Sequence, residues 1–137
     1  MEQGSTAHPI TRRTLLRGTA AMGVAAAGLA GCAGGGPSAA PGTELTAIAD
    51  VPVGEAKVIG GSQPVVIAQP TQGQFIGHSA ICTHGGCTVG TDGGLRLRCP
   101  CHGSTFDAGT GAVTKGPASR PLAEVEITVR GDQIVRG

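Results

Sequence analysis

Two hexapeptides carry the side chains most able to do chemistry: Cys82-Thr83-His84-Gly85-Gly86-Cys87 and Cys99-Pro100-Cys101-His102-Gly103-Ser104. Each holds two Cys and one His. These are soft or borderline donors, suited to zinc, copper or iron rather than calcium or magnesium. Gly beside the donors allows tight backbone approach. Asp92-Gly93-Gly94 lies between the two stretches and reads as a turn. On these residues alone three arrangements are open. Two disulfides would use four Cys and leave both His without a role. A Cys2His2 zinc site would pair its donors as C-x-H and C-x2-H, whereas zinc sites usually pair like with like. The third arrangement is an iron–sulfur centre with mixed Cys and His ligation.

Any of these needs elements that bring two loops together at one end of a fold. From Glu44 onward the apolar residues fall in short β-rich clusters broken by Gly and Pro. Strands are expected at Leu45–Ile48, Ala56–Ile59, Val65–Ala68, Gln74–Ile81 and Leu95–Arg98. Val125–Val129 alternates cleanly, and Arg130-Gly131-Asp132 turns it into Gln133–Val135 as a hairpin. No window keeps a helical apolar period. The expected class is all-β, built of small antiparallel sheets with both Cys/His loops at one tip. Sandwich and barrel are not separable at this level.

Composition explains why such a tip would matter. Among 137 residues there are 25 Gly, 9 Pro, two Phe and neither Trp nor Tyr. The core must be small and made of Val, Ile and Leu, so a disulfide or metal staple is expected. A formal net charge of +1 argues against a nucleic-acid binder. Beyond Cys32 the balance is seven Lys or Arg against eight Asp or Glu.

The N-terminus has the layout of an export signal. Thr11-Arg12-Arg13-Thr14-Leu15-Leu16-Arg17 precedes a weakly apolar run and then Leu29-Ala30-Gly31-Cys32. Arg12 and Arg13 resemble the pair of a twin-arginine (Tat) signal, a route that moves folded, often cofactor-loaded proteins. Leu29-Ala30-Gly31-Cys32 resembles a lipobox, with cleavage before Cys32 and lipidation of its sulfur. Residues 1–31 are thus read as a signal, 32–43 as the lipidated Cys with a Gly/Pro/Ala tether, and 44–137 as the domain. The tether would span about 18 Å root-mean-square.

The two Cys/His boxes together resemble the signature of the Rieske [2Fe–2S] family, respiratory type, as in the iron–sulfur subunit of cytochrome bc1 complexes. Lys115-Gly116-Pro117-Ala118-Ser119-Arg120-Pro121-Leu122 resembles, more weakly, the family's proline-containing loop over the cluster. The resemblance implies one [2Fe–2S] cluster, with Cys82 and Cys99 on one iron and His84 and His102 on the other. It implies a Cys87–Cys101 disulfide, which dioxygenase ferredoxins of the family generally lack. Two neutral imidazoles in place of thiolates raise the potential far above that of an all-Cys cluster. Gly103, Ser104, Phe106 and Pro117 fall at positions flanking the cluster. Ser104 matches a hydroxyl donor to a bridging sulfide, and Phe106 stands where high-potential members carry Tyr. The implied function is one-electron transfer from a quinol or cytochrome b-type donor to a cytochrome c-type acceptor at the extracytoplasmic membrane face. The domain is then an oxidoreductase component with no catalysis of its own. A small subunit of another exported oxidoreductase, such as arsenite oxidase, is the alternative within the family, and a zinc-stapled surface binding protein the alternative outside it. His78 is read as an ordinary surface or strand residue, Asp107 and Lys115 as turn and loop residues.

Overall fold

The computed structural model describes residues 40–137. Arg12, Arg13 and Cys32, with the signal and most of the tether, lie outside the described residues.

The fold is all-β, with three small sheets. The first joins the two ends of the domain in the order β1 (Glu44–Ala47), β10 (Gln133–Arg136), β9 (Ile127–Arg130). The second runs β2 (Glu55–Ile59), β3 (Val65–Thr71), β4 (Gln74–Ser79). The third runs β5 (Gly90–Thr91), β6 (Arg96–Arg98), β7 (Thr105–Asp107), β8 (Val113–Lys115). Every pairing is antiparallel.

β3 shows why an unbroken apolar run forms a central strand. Side chains alternate across a strand, so a run apolar at every position must be buried on both faces. Val65 and Ile67 enter a cluster with Val51 and Ile134. Val66 and Ala68 face the other way, into a cluster with Leu97, Phe106, Leu122, Cys82 and Cys99. One strand therefore separates the base of the domain from the packing beneath the Cys/His loops.

The hairpin at the C-terminus forms as expected, with Arg130 opposite Gln133 across Gly131-Asp132. Several strand ends shift. Ile48 opens a 3-10 turn (Ile48–Asp50) instead of extending β1. β4 stops at Ser79, and Ile81 makes only an isolated bridge with Thr88. β5, β7 and β8 lie outside the expected strands. They are two or three residues long, too short for an alternating pattern to register. His78 lies on β4 as expected of a strand residue, but it is not on the surface: it is 1% exposed.

Candidate metal centre

The first box connects β4 to β5 and the second connects β6 to β7. The two loops are built alike. In the first, the Cys82 N–H donates to Cys87 O (2.8 Å) and the Gly86 N–H to Cys82 O (2.9 Å). In the second, the Cys99 N–H donates to Ser104 O (2.8 Å) and the Gly103 N–H to Cys99 O (3.0 Å). Gly86 and Gly103 take φ of 77° and 76°, the left-handed region where a Cβ is strained. Each turn folds its first Cys inward and lifts the next residues toward solvent.

The sequence therefore sorts its donors by depth. Cys82 and Cys99 are 2% and 1% exposed and carry free thiols. His84 and His102 are exposed, their rings edge to face with centroids 4.7 Å apart. A Cβ placed on Gly85 would lie 3.6 Å from the His102 ring, so the loops touch at this tip. Cys87 and Cys101 form a disulfide between the loops, Cα to Cα 6.5 Å. The sulfurs of Cys87, Cys99 and Cys101 lie within 4.8 Å of one another. Two of those three are spent on the disulfide, so they do not form a donor set.

A third segment closes the site. The Ala118 N–H donates to Ser104 Oγ (2.9 Å), and Thr83 Oγ1 donates to Arg120 O (2.6 Å). The stretch around Pro117, preceded by a cis peptide bond, is thereby tied to both loops. Ser104 is fully buried, and the bond from Ala118 leaves its own proton free to be donated. Burial is the largest influence on the Cys82 thiol and pushes its pKa up. The His84 N–H, Cys99, the Gly85 N–H and Ser104 together outweigh it and hold the thiol below its ordinary value. Donors already gathered around a buried sulfur favour its thiolate form, the form that binds metal. Two buried thiols beneath two exposed imidazoles fit a two-metal cluster with sulfur ligands inside and nitrogen ligands outside.

Phe106 is fully buried and packs in the core with Leu97, its partner across β6 and β7. Asp107 caps the β7–β8 turn, its Oδ1 accepting from Thr110 N–H (2.8 Å) and Thr110 Oγ1 (2.9 Å). Lys115 ends β8 rather than lying in a loop. Sequence reasoning gave Arg96 and Arg98 no role. The structure places them with Lys115 and Asp92 around His102. The available signal was the strand alternation Arg96-Leu97-Arg98, which sets both cations on one face once Leu97 is inward.

An all-β domain with two Cys/His loops clasped by a disulfide at one tip is the frame of a metal centre. Residues 43–126 match the Rieske [2Fe-2S] domain family, and the chain belongs to that family. It is 38% identical over 116 residues to the cytochrome b6-f complex iron-sulfur subunit of Prochlorococcus marinus (strain MIT 9211), covering 77% of this chain and 64% of that one. It is 37% identical over 112 residues to the same subunit of Synechococcus sp. (strain RCC307), covering 74% and 62%. The chain thus spans less than two thirds of the length of these curated relatives. The plasma membrane Rieske protein PetC3 of Synechocystis PCC 6803 superposes with a TM-score of 0.60 at 32% identity, covering 69% of this chain and 98% of that one.

Proposed function

We propose that this chain is a one-electron carrier in a membrane-associated respiratory route, with Cys82, His84, Cys99 and His102 as the ligands of its [2Fe–2S] cluster. The observation that carries the reading is the depth sorting of those four side chains. The free thiols are buried, and the imidazoles meet at an exposed tip. The cluster, when bound, supplies a one-electron couple. The exposed rings give a partner the shortest approach, and their outer nitrogens can exchange a proton with it. The similarity to cytochrome b6-f subunits supports a quinol or cytochrome b-type donor and a cytochrome c-type acceptor.

The resemblance of Arg12-Arg13 to a twin-arginine pair and of Cys32 to a lipobox cysteine supports a domain outside the cytoplasm, exported by Tat and held by lipid. Among the described residues no helix is long and apolar enough to cross a membrane.

Metal analysis of the purified protein tests the cluster. Iron with acid-labile sulfide and a Rieske-type EPR signal on reduction are expected. Zinc without sulfide would overturn the reading. Replacing His84 or Cys82 with Ala should abolish the signal. Cys32→Ala should release the protein from the membrane fraction, and Arg12→Lys with Arg13→Lys should block export.

A further inference from the structure

The cleft beside His102 is cationic. Leu97 is fully buried, so Arg96 and Arg98 on either side of it share the outer face of β6. With Lys115 and Asp92 they line a cleft of about 450 Å³ that His102 borders. Asp92 is ion-paired to Arg96 (2.8 Å). Arg98 and Lys115 are exposed and have no carboxylate partner among the described residues.

Charge is also unevenly divided along the sequence. Residues 80–122, which carry both loops, hold four cations (Arg96, Arg98, Lys115, Arg120) against two carboxylates (Asp92, Asp107). The remaining described residues hold three cations against six carboxylates. The domain is nearly neutral as a whole, but the stretch that carries both loops and the imidazoles is net positive. Such a distribution orients a charged partner before contact.

We propose that this cleft docks a carboxylate-bearing face of a protein electron-transfer partner and so brings that partner against His102. The proposal rests on the carrier function proposed above and identifies the chemistry of its partner. A guanidinium and an ammonium with no internal partners recognise carboxylates, the guanidinium in bidentate fashion. The cleft is concave, so it suits protruding Asp or Glu side chains better than a flat sheet of lipid headgroups. An anionic bilayer held there would also bury His102 and shut out a protein partner.

The cluster-loaded protein is tested with two probes. Binding of a hexaglutamate peptide is measured by calorimetry at rising salt. Oxidation of the reduced protein by hexacyanoferrate(III), an anion, and by tris(phenanthroline)cobalt(III), a cation, is followed by stopped flow. Peptide binding should weaken as the Debye length shrinks from about 30 Å to about 10 Å. Arg98→Glu and Lys115→Glu should each weaken it several-fold. Together they should slow the hexacyanoferrate reaction about tenfold and speed the cobalt reaction. Arg130→Glu makes the same change of charge on the β1-β10-β9 sheet and should leave peptide binding within about twofold.

Equal losses in Arg98→Glu, Lys115→Glu and Arg130→Glu would reduce the effect to bulk charge and overturn the proposal. So would hexaglutamate failing to bind while phosphatidylglycerol vesicles bind through Arg98 and Lys115, which would assign the cleft to a lipid surface. Failure of the underlying carrier reading shows separately, as absence of the Rieske-type EPR signal before any rate is measured.

Discussion

Ser104 Oγ accepts a hydrogen bond of 2.9 Å from the backbone N–H of Ala118, with both residues buried. One hydroxyl thus fastens the Pro117 segment onto the second loop and still has a proton for sulfur. Ser104→Ala should leave the Ala118 N–H unsatisfied, at about 1–3 kcal/mol. It should also lower the reduction potential. Denaturant unfolding and protein-film voltammetry measure the two effects, and an unchanged potential would leave Ser104 with only its structural bond.

Phe106 fills the core against Leu97 and brings no hydroxyl to the site. Phe106→Tyr should raise the potential, by adding one donor near the cluster sulfurs. A voltammogram identical to that of the parent protein refutes this.

The disulfide closes a loop of sequence separation 14 between Cys87 and Cys101. Loop-closure entropy puts its contribution at about 3 kcal/mol. Cys87→Ser with Cys101→Ser should lose stability of that order. Amide exchange should speed up in residues 82–87 and 99–104 together, because the two loops brace each other. Acceleration confined to one loop would contradict that coupling.

His78 predicts the pH response of the fold. Both of its ring nitrogens are buried, and neither makes a hydrogen bond of ordinary geometry. The ring is wedged against Gly111, where a Cβ would approach it to within 2.9 Å. Burial lowers its pKa below the ordinary 6.5, while Glu124, the Gly109 backbone and Asp107 oppose that shift. The unfolded chain therefore takes up a proton that the folded protein resists. The neutral ring's full stability is present above pH 6.5 and should be lost as pH falls from there toward the lowered folded value. Urea unfolding at several pH values should show this slope in the parent protein, and His78→Leu should reduce it. A slope that survives the substitution intact assigns it to other groups.

The C-terminal hairpin and the apolar runs of β2, β3 and β4 are readable locally, because each rests on a β-rich stretch of a few residues, whereas the pairing of β1 with β10 joins segments far apart in the sequence and is not. The same holds for the donor types at the tip. Two Cys and one His in each Gly-rich hexapeptide restrict the chemistry to soft-metal or disulfide bonding before any contact is known. The short strands β5, β7 and β8 are not readable, because two or three residues carry no period. They form because neighbours supply their hydrogen bonds.

The sequence by itself determined the inventory: four Cys and two His in two boxes, candidates for metal ligation or for disulfides, and a β-rich chain too poor in aromatics to hold such loops without a staple. Tertiary structure decided depth and company. It put Cys82 and Cys99 under His84 and His102, turned Ser104 toward Ala118, hid His78, and gathered Arg96, Arg98 and Lys115 around His102. Burial and charge density depend on distances between residues far apart in the chain. Residue type and spacing limit those distances but do not set them.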